Sequence, residues 1–472
     1  MIAATAFGSL AVAASAFGST PSLSALTSLQ IGKAATTTST LPPVRHVFII
    51  VLENESESVS FGASSPATYL SKTLTSMGAF VPNYYGIGHS SLDNYIAMIG
   101  GQPPNPTTQA DCGTWQNMST DTVSSYGAVE GSGCLYPADT QTIANQLTNS
   151  GLNWGAYMDE MGLDLTREAS ACPAPTVGKA DNTESAESTA PYDEYAERHD
   201  PFMYYHSIFD NLSYCQQHVV NLNELPTALQ SVATTPNYVF ITPDLCDDGH
   251  NTGSGTGCGP GEPGGLTQVN TFLQTWVPRI LASPAYQQNG LLLVTFDEAA
   301  GGDSSSCCGE LAGPAAAEPG GTGPGGGDVG AVMLSPFISP GTVTQTAYNH
   351  YSMLGSIEDL FGLPHIGYAQ LPGETDFGSD IFTNYNASTC AAALSCGLPE
   401  NSLSVPAIAS TAGTTARLKL LLRATAASGN TIKSFDVQVE NLSSKIPTWT
   451  TLAAATTLTN LSYTTTPGDT YA

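Results

Sequence analysis

Positive charge is the scarcest commodity in this chain. Its 472 residues carry 12 Lys+Arg against 40 Asp+Glu, a formal net charge of −28. So few cations build no basic patch for nucleic acid or an anionic membrane surface, and a polyanionic ligand is repelled at long range. Long apolar runs are missing as well: beyond the N-terminus nothing approaches the roughly 20 residues of a membrane span, which excludes stable membrane insertion. No C-x-x-C pair occurs among the 10 cysteines, which argues against a zinc knuckle. The esterase signature G-x-S-x-G is absent too. Gly88-His89-Ser90-Ser91-Leu92 lacks its closing glycine, so a Ser-His-Asp hydrolase is a weak alternative. No internal repeat is evident.

What is present bounds the rest. Hydrophobic residues make up 41%, enough for a sizeable core, and the length suits two domains. An even cysteine count among loop-like neighbours suits disulfides and an oxidising compartment. Proximity favours Cys112–Cys134, Cys246–Cys258 and Cys390–Cys396, with Cys172–Cys215 next; Cys307 and Cys308 either bridge each other or pair elsewhere. The N-terminus, with A-S-A at Ala14–Ala16, resembles the apolar and cleavage regions of a signal peptide, although a basic start is missing. Residues 1–41 are therefore expected to be a signal-like segment and linker, and the protein to be secreted.

Continuous apolar runs recur in "HVFIIVLEN", "YVFITPD", "LLLVTFDE" and "AVMLSPFI". Such runs fit strands buried on both faces, as in a parallel sheet under helices. Helical patterns fall between them, at 142–151, 265–281 and 348–364, so the class over 42–398 is α/β. The Gly/Pro/Ser-rich stretch 299–328 is expected to be a long loop following a strand end. Residues 404–472 change to short Thr/Ser/Val-rich runs and predict an all-β, Ig- or fibronectin-like sandwich. It stops at "PGDTYA", where a further strand is expected, so the domain is expected to be incomplete.

Polar residues collect at the strand ends: Glu53 and Asn54 after the first, Asp244, Asp248 and His250 after the second, Asp297 and Glu298 after the third. Parallel sheets gather ligands beyond their carboxyl ends, and hard oxygen donors suit a divalent cation. Each acid alone is more often an ordinary strand-closing residue; together they point to a metal. Ser91 opens an apolar helical run, where free backbone N–H groups favour an anion; from pattern alone either Ser90 or Ser91 holds the cap. Of the eight histidines, His89, His250 and His350 lie where sites form. His46 and His199 suit structural roles equally well, and His206, His218 and His365 carry no functional signal.

Six ordered blocks resemble the phosphoesterase family of bacterial phospholipase C and secreted acid phosphatases: "HVFIIVLENESES", "NYYGIGHSSLDNYIAMIGG", "RHDPFMYYHSI", "NYVFITPDLCDDGHN", "LLLVTFDEA" and "YNHYSMLGSIEDLFGLPHIGYA", over about residues 44–372. The resemblance implies an alkaline-phosphatase-like α/β core, with helices on both faces of the sheet, and hydrolysis of phosphoric esters. It places a nucleophile on Ser91 and metal ligands on Glu53, Asn54, Asp297 and Glu298, with Ser91 Oγ joining them. It gives phosphate-binding or proton-donating roles to His89, Asp248, His250 and His350. The sequence departs at Ser90 and Asp93, where prolines are usual. It also reads E-N-E-S-E-S where E-N-R-S-F-D is common in the phospholipase branch, so the serine block is nearer the acid-phosphatase branch. The expectation is a metal-dependent, acid-phosphatase-like hydrolase working through phosphoserine. The alternatives are a phospholipase C-type phosphodiesterase and a secreted binding protein without catalysis.

Overall fold

The structure, a computed structural model, describes residues 41–386 except 120–121, 254–255, 316–317 and 320–322, and the backbone of four strands between 403 and 456. The α/β unit spans Thr40–Ala387. Its strands are β1 (His46–Leu52), β2 (Ala79–Val81), β3 (Tyr84–Tyr85), β4 (Trp154–Met158), β5 (Val219–Asn221), β6 (Tyr238–Thr242), β7 (Gly290–Phe296), β8 (Ala331–Leu334), β9 (Thr342–Val343) and β10 (Tyr348–Asn349).

Eight of them make one sheet in the order β5-β4-β6-β1-β7-β8-β2-β9. β1 lies at its centre, parallel to β6 on one side and β7 on the other, with Ile49 opposite both Phe240 and Leu293. Every residue of β1, β4, β6, β7 and β8 is buried. That is why these runs are continuously apolar: both faces are covered, and each buried aliphatic or Phe side chain stabilises by about 1.5–3 kcal/mol.

One strand departs from the all-parallel expectation. β8 runs antiparallel to β7 and to β2. The physical reason is the connection. The described residues between 297 and 330 hold no crossover helix, and the chain re-enters the sheet from the end at which β7 left it.

The helices follow their patterns. Ile143–Asn149 begins with a capping box between Thr142 and Asn145. Gly265–Ala282 tolerates Pro278 near its end. His350–Phe361 buries Met353, Leu354 and Ile357 and stops at left-handed Gly362. Ser91–Gly100 is buried at all ten positions.

Disulfides join Cys112–Cys134, Cys172–Cys215, Cys246–Cys258 and Cys307–Cys308. The expected Cys390–Cys396 pair lies outside the described residues, as does the signal-like segment. In the C-terminal unit, β11 (Leu403–Thr411), β12 (Thr414–Ala427), β13 (Thr431–Asn441) and β14 (Thr448–Thr456) form one antiparallel sheet in chain order. The second layer that a sandwich needs, and the expected incompleteness, fall outside the described residues.

Candidate active site

The site grows from the carboxyl ends of the two central strands. Glu53 follows β1, fully buried, and its backbone N–H donates to the Asp248 carbonyl at 2.8 Å. Asn54 takes a left-handed backbone (φ 57°), which turns its N–H toward Asp297 Oδ1 at 3.0 Å and its side-chain amide toward Glu53 Oε2 at 2.7 Å. Asp297 follows β7, and its N–H donates to the Leu52 carbonyl at 2.8 Å. The two strand ends are thus tied to each other through backbone and side chain.

Ser91 is the first residue of its helix, and Ser90 holds the cap position with extended backbone. Ser90 Oγ donates elsewhere, to the Gln109 carbonyl at 2.8 Å. Ser91 Oγ donates to Glu53 Oε2 at 2.8 Å. The helix amides are less free than the sequence suggests. Leu92 N–H donates to Asp111 Oδ1 at 3.1 Å and Asp93 N–H to the Ser90 carbonyl at 3.2 Å. Asn94 braces the preceding turn: its Oδ1 accepts from the N–H groups of Ile87 and Gly88, and its Nδ2 donates to the carbonyls of Gly88 and Ser90.

His89, on that turn, has Nδ1 2.7 Å from Glu298 Oε2 and Nε2 2.6 Å from the Asp303 carbonyl. Both nitrogens stand against oxygen atoms, an arrangement that favours the doubly protonated ring. The Glu298 hydrogen bond raises the His89 pKa, against burial. Burial pushes the Glu298 carboxyl up to about 7.

A cavity of about 290 Å³ opens beside these groups, lined by Asn54, His89, Ser90, Ser91, Asp111, Glu184, Arg198, His250 and Glu298. The fold therefore brings Asn54, His89, Ser91, His250 and Glu298 to one cavity, with Glu53 directly behind the serine. His350 is not among its walls. It is fully buried, with Nε2 2.6 Å from the Asp297 carbonyl and Nδ1 3.3 Å from the Tyr84 hydroxyl, and burial lowers its pKa to about 4. It is a neutral ring that fixes the Asp297 backbone.

Two residues enter that strand-end reasoning did not single out. Arg198, beside His199 on the 3₁₀ turn Glu197–His199, lines the cavity and donates from Nη1 to the Glu184 carbonyl at 2.8 Å. His199 lies below, stacked on Tyr95, with Nε2 3.2 Å from Glu53 Oε1 and Nδ1 3.7 Å from Asp248 Oδ2. Burial, then Arg198 and His250, holds His199 well below the usual histidine range. The "RHDPFMYY" block was the only signal for either.

The donor set fits a cation. Glu53 Oε1, Asp248 Oδ2, Asp297 Oδ2 and both His199 nitrogens are buried without a well-aligned hydrogen-bond partner. Ligand atoms of Glu53, His199 and Asp248 all lie within 4.8 Å of one another. Burial, then repulsion from Glu53, holds Asp248 and Asp297 well above the ordinary carboxyl range. Oxygen-rich donors with one imidazole suit several divalent metals. Glu298, expected among the ligands, is turned to His89 by one of its oxygens.

An α/β scaffold with a serine and clustered carboxylates at the carboxyl ends of its parallel strands defines a hydrolase-like class of site. The Phosphoesterase family model matches residues 64–364, and the chain belongs to that family. It is 24% identical over 299 residues to an acid phosphatase of Aspergillus fumigatus, covering 63% of this chain and 51% of the relative. It is 23% identical to a phosphatidylinositol-3-phosphatase of Mycobacterium tuberculosis, covering 74% of this chain and 87% of the relative. The chain thus spans about half the length of the first of these. A solved structure from Vibrio parahaemolyticus, described as a protein in the alkaline phosphatase superfamily, aligns at 11% identity with a TM-score of 0.42, over 85% of this chain and 80% of that one.

Proposed function

We propose that the protein is a metal-dependent hydrolase of phosphoric esters, acid-phosphatase-like, with Ser91 as nucleophile. The observation that carries this is the Ser91 hydroxyl, 2.8 Å from Glu53 Oε2, at the mouth of a cavity lined by His89, His250 and Arg198. Acid-phosphatase relatives and family membership support the substrate class.

Glu53, Asn54 and Asp297 would hold the metal beside Ser91, with Asp248 and His199 completing the buried donor set. When bound, the metal supplies positive charge that lowers the pKa of the serine hydroxyl and offsets the phosphoryl charge. Ser91 Oγ passes its proton to Glu53 Oε2 as it attacks phosphorus, and the bond from phosphorus to the leaving oxygen breaks. His250 is the candidate to give that oxygen a proton, while His89, its two nitrogens held by Glu298 and Asp303, supplies positive charge beside the phosphoryl group. Water then attacks the phosphoserine, the phosphorus–Oγ bond breaks, and the proton returns to Ser91. Arg198 supplies fixed positive charge toward the phosphoryl oxygens, in a wall that otherwise carries Asp111, Glu184 and Glu298. His350, held neutral, acts by positioning Asp297 rather than by donating a proton to substrate. The cysteine pairs and the family's secreted members support an extracellular setting.

The test is Ser91→Ala on p-nitrophenyl phosphate, with wild type run with and without chelator. The expected loss for a removed nucleophile is about 10³-fold or more. Activity within a few-fold of wild type sinks the serine assignment, and chelator-insensitive turnover sinks the metal. A phosphodiester run in parallel distinguishes the phospholipase C-type alternative, and no turnover of any ester by metal-loaded wild type would favour a binding protein.

A further inference from the structure

Of the four bridges in the described residues, three are sealed: none of Cys112, Cys134, Cys172, Cys215, Cys246 and Cys258 is more than 3% exposed. The fourth, Cys307–Cys308, is part-exposed on the 297–330 loop. A thiol opens a disulfide only where it can reach a sulfur, so in the folded chain a reductant meets this bridge before the other three.

Cys307 and Cys308 do not line the serine cavity, but they are built into what supports it. Before the bridge the loop is pinned. The Asp303 carboxyl accepts from Ser305 N–H at 3.0 Å and from Asp328 N–H at 3.1 Å, and the Ser305 carbonyl accepts from Gly327 N–H at 2.9 Å. After the bridge, Glu310 N–H donates to the Cys307 carbonyl at 3.4 Å, and Glu310 Oε1 accepts from Asn349 Nδ2 at 3.0 Å. Between lies Cys308, with a left-handed backbone at φ 67°. A non-glycine residue keeps that conformation where its surroundings enforce it, and here the ring closed with Cys307 does so. The ring is also wedged. Cys308 Sγ lies 3.5 Å from the Ala347 carbonyl oxygen, and a Cβ on Gly373 would collide with the Cys308 carbonyl oxygen.

Asn349 is where these segments meet. Its Nδ2 also donates to Glu374 Oε1 at 3.3 Å, and its Oδ1 caps the His350–Phe361 helix by accepting from Ser352 N–H at 2.8 Å. The next residue, His350, holds the Asp297 carbonyl. A chain of contacts thus runs from the bridge through Glu310, Asn349 and His350 to the Asp297 backbone. We propose that Cys307–Cys308 is a redox latch on the serine site, opened by a dithiol reductant. One thiolate of the reductant attacks a cysteine sulfur and breaks the Cys307–Cys308 bond, and its second thiol resolves the mixed disulfide. The reductant leaves as a cyclic disulfide, oxidised by two electrons, and its two protons end on the cysteine sulfurs. Cys308 then leaves the left-handed region, Glu310 swings off Asn349, and the helix cap beside His350 loosens. Turnover falls, and re-oxidation restores it. The effect on turnover rests on the proposed function; the latch itself does not.

The full chain is titrated with dithiothreitol, alkylated with iodoacetamide and mapped by peptide mass spectrometry, with amide hydrogen exchange run on the same samples. Label should appear on Cys307 and Cys308 at reductant levels that leave the six buried cysteines unlabelled. Exchange at Glu310 and Ser352 should then quicken about tenfold or more, as in a local opening. On p-nitrophenyl phosphate, kcat should fall about tenfold, the scale of a lost positioning contact, and recover on re-oxidation. Cys307→Ser with Cys308→Ser should show the low kcat and the fast exchange without reductant, and should ignore dithiothreitol. That indifference separates the bridge from metal stripping by the thiol and from cysteines elsewhere in the chain. Should the double variant not fold, the wild-type cycle of reduction and re-oxidation decides alone. Free thiols at Cys307 and Cys308 before treatment overturn the proposal. So do buried bridges that open first, unchanged exchange at Glu310 and Ser352 once the bridge is open, or a kcat that opening leaves alone. A chain that hydrolyses no ester in either state overturns the proposed function, while label and exchange still decide the latch.

Discussion

His89 meets an oxygen at each of its two nitrogens, the Glu298 carboxyl and the Asp303 carbonyl. Its pKa is raised chiefly by Glu298, so its charge extends above the usual histidine range, where it is lost as pH rises. Glu298→Gln removes the charged partner. If the His89 cation assists catalysis, the alkaline fall in kcat/KM should move to lower pH, while the rate on the acid side of that fall changes less. A pH–rate profile that keeps its alkaline limb in place would show that His89 does not titrate in turnover. His350 should contribute nothing to that limb, since it stays neutral down to about 4. At this scale the strand-end acids were legible because they directly follow apolar runs, whereas Ser91 was told from Ser90 only by the family resemblance. Arg198 and His199 were not legible, because they sit on a short 3₁₀ turn, and only the tertiary fold carries that turn to Glu53.

Among the elements, the 297–330 loop has the most influence for its lack of regular structure. It pairs with the Gly86–His89 turn through two backbone bonds, Gly86 N–H to the Gly327 carbonyl and Gly326 N–H to the Gly86 carbonyl, a third from Ala299 N–H to the Gly326 carbonyl ties the loop to itself, and the Asp303 carbonyl meets His89. The approach is so close that a Cβ on Gly326 would stand 2.5 Å from the Gly88 carbonyl oxygen and 2.7 Å from the Gly86 carbonyl carbon. Those are backbone atoms and cannot swing aside. Gly326→Ala should therefore cost about 1–3 kcal/mol, as overpacking does, and push the loop off the turn. The expected signature is a lowered melting temperature together with a fall in kcat, as His89 loses its support. Wild-type values for both would mean the loop yields freely and does not hold the turn. Composition alone marked this stretch as a loop. What it could not show was that β8 returns antiparallel from it, since a continuous apolar run looks the same in either direction.

Across the whole molecule, acid dominates, and much of it is buried. Glu358, inside the His350–Phe361 helix, is fully buried, and burial pushes its carboxyl up to about 9. Beyond the ends of β4 and β6, burial with Asp244 nearby pushes Glu160 to about 8 and Glu194 to about 10. In the unfolded chain such groups ionise near 4.3. Between that value and the folded ones, the folded state holds more protons, so stability falls as pH rises through this window. His350 and His199 work the other way, because their folded values are depressed: the fold loses stability as pH drops below about 6.5. The raised acids outnumber them, which predicts maximal stability on the acid side of neutrality. Calorimetry at fixed ionic strength should show the melting temperature falling from pH 5 to pH 8. Glu358→Gln replaces a protonated acid with a neutral group of the same shape. It should leave the pH 5 melting temperature nearly unchanged and raise the one at pH 8. A melting temperature that is flat or rising across that range would mean these acids are ionised in the fold. A net charge of −28 says only that the chain is acidic. Which carboxyls keep their protons is decided by burial, and that depends on where the sheet and helices close over them.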